Sequence, residues 1–327
     1  MRTVFVTGAE GFAGTFVAEL LRQRGYNVVA GVRNRARKLA YERTRGKAIV
    51  CDVSDPINVA RAVAGVRPDG IVHLAGCSQP ATARHEPLEA YQSIVTGWAA
   101  LLDAVRRFVP RARVLLISAC DVYGPASRDG QPAREDTPTS PTSTFGAFKV
   151  AAEWLARMFF NAYHLNLTVA RPFHYIGPGQ PPTSFFGSVA RRLATWDAHT
   201  DGDELALPDL DARRDLLHVR DVAAAYERLL VDGRPNEVYN VCSGRTFACR
   251  EVVEILLREA RLPVRIVDSP GKDDGELVPV YHGDNTKLRT ELGWQPTCTV
   301  QGAAAELIRS YDRGACLLYT SPSPRDS

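Results

Sequence analysis

The sequence predicts an α/β chain, a doubly wound parallel sheet with a smaller C-terminal α/β lobe. Three observations carry this. Short, continuously apolar runs alternate with helical patterns through the first half, as in a parallel sheet covered on both faces. A glycine triplet (Gly8, Gly11, Gly14) lies between the first such run and the first helical pattern. The regular alternation stops after Pro172, where "HYIGPGQPPTS" reads as loop.

In order, "TVFVTG" (Thr3–Gly8) is a β-rich strand, after which Phe12, Phe16, Val17, Leu20 and Leu21 recur at helical spacing. "YNVVAGV" and "KAIVCDV" read as strands, "DPINVARAVAGV" as a short helix and "GIVHLAG" as the next strand. A long helix is predicted around Leu88–Val109, then the strand "ARVLLIS", a helix through Lys149 to Tyr163, and the strand "NLTVARP". Later helices are predicted at Phe185–Trp196, Val219–Val231, Arg250–Arg261 and Val300–Arg313, with short strands in "EVYNVCS" and "VRIVD". The division expected is a first domain at 1–172 and a second lobe at 173–315, some of whose elements return to the first sheet. A disordered or non-native tail is expected at 316–327, where "CLLYTSPSPRDS" departs from the preceding chain.

The 327 residues are 45% hydrophobic and 24% charged, enough for a sizeable core. A net charge of +3 makes no case for nucleic acid or a membrane surface as partner. No apolar run approaches the ~20 residues of a transmembrane helix. The chain opens on a strand without a basic and apolar leader, so a cytoplasmic location is expected. The seven cysteines are scattered and form no C-x-x-C pair, so neither a disulfide framework nor a metal site is expected.

In "TGAEGFAG" the strand before the glycines and the helix after them supply the context of a phosphate-binding loop. Glycine lets the backbone turn tightly and approach a pyrophosphate seated on the helix N-terminus. The sheet is therefore expected to be Rossmann-type. An NAD site places a carboxylate at the end of the second strand, for the ribose hydroxyls. This chain has "VVAGVRNRARK", with Arg33, Arg35, Arg37 and Lys38 and no acid. Cations suit a 2′-phosphate, so NADP(H) is favoured, with NAD(H) possible. Arg33, nearest the strand end, is the candidate ligand, and Asp52 could bond the adenine amine.

These pieces resemble the extended short-chain dehydrogenase/reductase family of nucleotide-sugar epimerases, dehydratases and reductases. The anchors are "TGAEGFAG", "HLAG" (73–76), "SACDVYGP" (118–125), "FGAFK" (145–149), "ARPFHYIGPGQ" (170–180), "LDARRDLLHVRDV" (210–222) and "YNVCSG" (239–244). The last three look like the GDP-6-deoxy-D-mannose reductases and GDP-mannose 4,6-dehydratases. The resemblance implies cofactor contacts from Gly8, Gly11, Phe12, Gly14, Arg33, Asp52, Val53, Leu74, Ala75, Lys149 and Pro172. It implies a GDP-linked sugar as ligand, touched by Arg213, Arg214, His174 and Asn240, and a homodimer formed through the helices around 88–109 and 145–163.

In that family a Tyr carries the proton while hydride moves between nicotinamide and sugar, a Lys holds the ribose, and a Ser or Thr bonds the same sugar oxygen. Lys149 matches. The Tyr position is Phe145 and the Ser/Thr position is Ala119, so both hydroxyls are missing. The usual Asn of the Arg-Pro-Phe-Asn motif is His174, and a dehydratase-like acid stands at Asp121. Losing a positioned acid costs about a hundredfold to ten-thousandfold. His174 and Asp121, with Lys149, are the catalytic candidates, and Cys120, Tyr123 and Tyr175 lie near them in sequence. Three functions stay open: a reductase with a non-standard acid, a non-catalytic nucleotide-sugar-binding protein, and a dehydratase or epimerase using Asp121. Arg214 is the expected diphosphate ligand, its alternative being an ion pair with Asp215 or Asp221.

Overall fold

The computed structural model describes residues 1–125, 131–270 and 278–312, and the tail expected at 316–327 lies outside the described residues. The first half runs β1 (Thr3–Thr7), α1 (Phe12–Gln23), β2 (Asn27–Val32), α2 (Arg35–Thr44), β3 (Ala48–Val50), α3 (Pro56–Val66), β4 (Gly70–His73), α4 (Pro80–His85), α5 (Pro87–Tyr91), α6 (Gly97–Phe108), β5 (Arg113–Ile117), α7 (Thr144–Tyr163) and β6 (Asn166–Pro172). The second half runs β7 (His174–Ile176), α8 (Phe185–Ala194), β8 (Glu204–Leu207), β9 (Arg213–His218), α9 (Val219–Asp232), β10 (Val238–Val241), β11 (Thr246–Ala248), α10 (Cys249–Ala260), β12 (Arg265–Asp268), β13 (Val280–Tyr281), α11 (Thr286–Leu292) and α12 (Val300–Asp312).

Among the described residues, seven parallel strands form the main sheet in the order β10-β6-β5-β4-β1-β2-β3. The chain winds outward in one direction through β2 and β3, then in the other from β4. The order therefore reverses between β1 and β4, where such sheets bind ligands at their carboxyl edge. The strands read as unbroken apolar runs because both faces are covered. One face packs on α1 and α9 through Val17, Leu21, Val222 and Leu229, and the other on α3, α6 and α7 through Val59, Leu101, Val105 and Ala152.

The helix predicted around Leu88–Val109 is α5 and α6 joined by a π-helical turn at Gln92–Thr96. Ser93 occupies this widened turn. Its hydroxyl accepts from the backbone N–H of Cys77 and donates to Ala90, tying the helix to the loop after β4.

Beyond Pro172 the chain serves two cores. α8, α10, α12 and β8 share a separate cluster around Phe186, Leu205, Leu256 and Leu307. β10 instead pairs with β6 in the main sheet, and α9 covers that sheet. β9 organises a smaller sheet, pairing antiparallel with β11 and parallel with β13 and β7. Asp215 of β9 is fully buried and accepts the N–H groups of Ser243, Gly244 and Gly283, with the Ser243 hydroxyl as well. It thus ties the loop after β10 and the end of β13 to β9.

Candidate functional site

The carboxyl edge at the β1–β4 switch carries the glycine loop. Gly8 adopts φ +68°, and a Cβ on Gly14 would stand 2.1 Å from the Gly8 carbonyl oxygen. Only glycine allows α1 to begin so close to the β1 turn. The N-cap of α1, Gly11, makes no side-chain cap, and its first turn holds no acid. Its terminal N–H groups and positive dipole end are therefore disposed toward an anion. Phe12 stacks on Tyr175 at 5.7 Å, so the loop leans on the chain just after β6.

At the end of β2, Arg33 is exposed, and α2 opens with Arg35, Arg37 and Lys38 and no acid in its first turn. Cations at a helix N-terminus oppose its dipole. Asn34 caps Arg37, whose guanidinium lies 3.5 Å from Glu10. Asp52 follows β3, and its Oδ1 is taken by the N–H and hydroxyl of Ser54, at 3.0 and 2.6 Å. Val53 is buried under Gly97, Pro172 closes β6, and the N–H of Ala75, next to Leu74, donates to the Thr7 hydroxyl.

Lys149 comes from the second turn of α7. Its Nζ donates to the Ile117 carbonyl at the end of β5, 2.8 Å away, and sits 5.5 Å from the Phe145 ring and 5.6 Å from Trp98. Burial pushes its ammonium down to about 8, against the pull of Cys77, Glu153 and Asp121. Phe145 and Ala119 are both buried, so hydrocarbon stands at the two positions where the resemblance expects hydroxyls. A Cβ on Gly146 would stand 2.6 Å from the Asp121 carbonyl oxygen, so this glycine lets α7 press against the turn that carries Asp121.

A second wall faces Asp121. Tyr281 of β13 and Arg214 of β9 are register partners, and the guanidinium lies over the Tyr281 ring at 5.3 Å. The imidazole of His174 approaches the same ring at 5.1 Å. Burial, followed by the charge of Asp121, pushes the Tyr281 phenol well up. Burial raises Asp121 too, against the pull of Arg214 and Lys149. Nothing in the sequence singled out Tyr281: β13 spans two residues and has no periodicity.

Several expectations need correction. Arg214 pairs with neither Asp215 nor Asp221. Asp215 accepts from backbone N–H groups, and Asp221 from Thr297 and Cys298. Arg214 Nη1 donates instead to the carbonyls of Arg213 and Val278, and Arg213 is spent on Thr246. Asn240 is fully buried; its amide donates to Ala133 and Asp284 and accepts from Tyr123, leaving nothing for a ligand. Tyr123 is consumed likewise, donating to Asn240 and accepting from Arg171. Burial, then Arg214, hold the His174 imidazole down to about 3. Burial pushes the Cys120 thiol well up. His73 Nε2, Ser118 Oγ and His174 Nδ1 are buried polar atoms without a partner among the described residues.

Residues 5–307 match the family described as GDP-mannose 4,6 dehydratase. The chain belongs to that family. A GDP-6-deoxy-D-mannose reductase of Pseudomonas aeruginosa is 32% identical over 245 residues, 75% of this chain and 81% of the relative. A dTDP-6-deoxy-L-talose 4-dehydrogenase (NAD(P)(+)) of Kitasatospora kifunensis is 29% identical, covering 93% and 94%. Among solved structures, RMD from Pseudomonas aeruginosa complexed with NADPH superposes with a TM-score of 0.83 at 27% identity, covering 96% of this chain and all of that one. A Thermus thermophilus UDP-glucose 4-epimerase in complex with NAD superposes at 0.85 with 25% identity, over 96% and 100%. The Rossmann-type fold and the family resemblance read from the motifs are both shown. No helix among the described residues is long and apolar enough to cross a membrane.

Proposed function

We propose that the chain is an NADPH-dependent reductase of a nucleotide-diphosphate 4-keto sugar, GDP-linked by analogy with its relatives, working with a non-standard proton donor. One observation carries this reading. Phe145 and Ala119 stand where the resemblance expects hydroxyls, yet a buried Asp121 persists near Lys149 and Arg214, and His174 and Arg214 gather on the Tyr281 ring. Burying a carboxyl costs stability, so its presence at this edge favours a chemical role.

The residues present fit the cofactor. The uncapped α1 terminus suits a pyrophosphate, and the cationic start of α2 suits a 2′-phosphate. Bound there, NADPH would supply hydride to a carbonyl carbon. Gly8, Gly11 and Gly14 would cradle the diphosphate, Arg33 the 2′-phosphate, and Lys149 the nicotinamide ribose. On the substrate side, Arg214 would face the sugar diphosphate, and His174 and Asp121 the sugar. As neutral imidazole, His174 would orient an oxygen rather than protonate it.

NADPH oxidation with GDP-4-keto-6-deoxy-mannose tests the reading, expected at no less than about a hundredth of a typical rate of ten per second. Tight NADPH binding by calorimetry with no turnover of any 4-keto nucleotide sugar would overturn it. That result would favour the non-catalytic reading, for which the hydrocarbon at positions 145 and 119 speaks. Arg33→Ser should weaken NADPH more than tenfold and leave NADH unchanged; equal losses would remove Arg33 as the phosphate ligand.

A further inference from the structure

Resting on the cofactor half of that reading, we propose that Glu10 and Arg37 act as a pair to set which nicotinamide cofactor is accepted, Arg37 answering a 2′-phosphate and Glu10 a free 2′-hydroxyl. The pair joins two elements that flank the switch edge. Glu10 belongs to the glycine loop between β1 and α1, and Arg37 to the first turn of α2, just after β2. Arg37 Nη1 lies 3.5 Å from Glu10 Oε2, with the two side chains 44% and 23% exposed. An adenosine ribose in a Rossmann-type sheet sits at the end of the second strand, beside the glycine loop. The ion pair is thus built across the two elements that a 2′ substituent has to meet.

The neighbouring groups leave these roles to the pair. β2 ends in Val32 and is followed by Arg33, so that strand offers a ribose hydroxyl no carboxylate. The first turns of α1 and α2 hold no acid either. Glu10 supplies the carboxylate from the facing loop. Lys38 lies 3.7 Å from Glu42 of its own helix, and Asn34 Oδ1 accepts the Arg37 N–H at 3.0 Å, fixing the turn from which the guanidinium departs. Charge then decides the preference. In the free protein Arg37 neutralises Glu10. Toward a 2′-phosphate Arg37 turns together with Arg33, and Glu10 is left as a like charge that weakens the gain. Toward a 2′-hydroxyl Glu10 accepts a hydrogen bond while Arg37 stays paired with it. Both cofactors are therefore taken, with a narrower preference for the phosphorylated one than two arginines alone would impose.

Calorimetry tests this without turnover. Adenosine 2′,5′-bisphosphate and 5′-AMP probe the adenosine half, and NADPH and NADH repeat the comparison on the whole cofactor. Glu10→Gln should tighten the bisphosphate and NADPH about threefold to tenfold, and weaken 5′-AMP and NADH by about threefold or more. Arg37→Gln, which leaves the glycine loop untouched, should weaken the bisphosphate and NADPH about tenfold and move 5′-AMP by less than about twofold. That loss should be larger when Glu10→Gln is already present, because Arg37 then leaves no carboxylate behind. Equal losses in both backgrounds make the contact an ordinary surface ion pair and overturn the proposal. So does a Glu10→Gln variant that moves both classes of ligand alike. A wild-type protein that binds neither dinucleotide fails the reductase reading and this proposal together. Binding without turnover of any 4-keto nucleotide sugar fails the reductase reading, and the affinities still decide the proposal. Unshifted preference in both variants of an active protein fails the proposal alone.

Discussion

Phe145 and Ala119 stand where the resemblance expects a Tyr and a Ser or Thr, and both are buried. Phe145→Tyr with Ala119→Ser should therefore raise turnover at least tenfold, read as kcat, since a positioned acid is worth about a hundredfold or more; no gain would mean that the sugar binds in another orientation. Lys149 makes a prediction about stability. Its folded pKa is depressed from 10.5 to about 8, so the unfolded chain binds the extra proton between those values. Stability should rise as pH climbs from 8 to 10.5, by roughly 3 kcal/mol from this group. Denaturant melts of wild type and Lys149→Met should diverge across that window, and parallel curves would count against it. The glycines, Lys149, Asp121 and the two absent hydroxyls were legible in the sequence because each belongs to a local motif. Tyr281 was not, because its meaning comes from a strand pairing with Arg214 that no local pattern encodes.

At the level of elements, the buried ion pair between Arg171 of β6 and Glu153 of α7 holds the helix that carries Lys149. Its contacts at 2.6 and 3.0 Å are bidentate, and Arg171 also reaches the Tyr123 hydroxyl. Glu153→Ala leaves a buried guanidinium uncompensated and should cost about 3–5 kcal/mol in urea unfolding; a loss below ~1 kcal/mol would show that water replaces the carboxylate. Strand and helix periodicity made most elements readable, α7 and α9 nearly to their ends. The π-turn in the helix around Ile94 was not readable, because it depends on Ser93 meeting the loop after β4. Asn240 was misread for a similar reason: its motif looked like a ligand contact, and only the fold shows Tyr123, Ala133 and Asp284 around it.

Over the whole molecule, α5 and α7 both expose large apolar side chains. Leu88, Tyr91, Trp154 and Met158 are 68%, 43%, 59% and 60% exposed, and Tyr91 packs on Phe148 to join the two helices. Exposed apolar side chains on neighbouring helices suit a second copy of the chain. The double change Trp154→Glu and Met158→Glu should shift a dimer to monomer in sedimentation at micromolar concentration without altering the far-UV spectrum, and a wild-type monomer would refute the assembly. The return of β10 to the edge beside β6 has a consequence for how the chain can be rebuilt. A chain cut after Pro172 would leave β6 an edge strand, paired with β5 alone, and strip α9 from one face of the sheet. The C-terminal part therefore cannot be exchanged like a cassette with that of a relative taking another sugar. Re-targeting has to proceed by point changes around β7, β9 and β13, where the side chains proposed to face the ligand sit on paired strands.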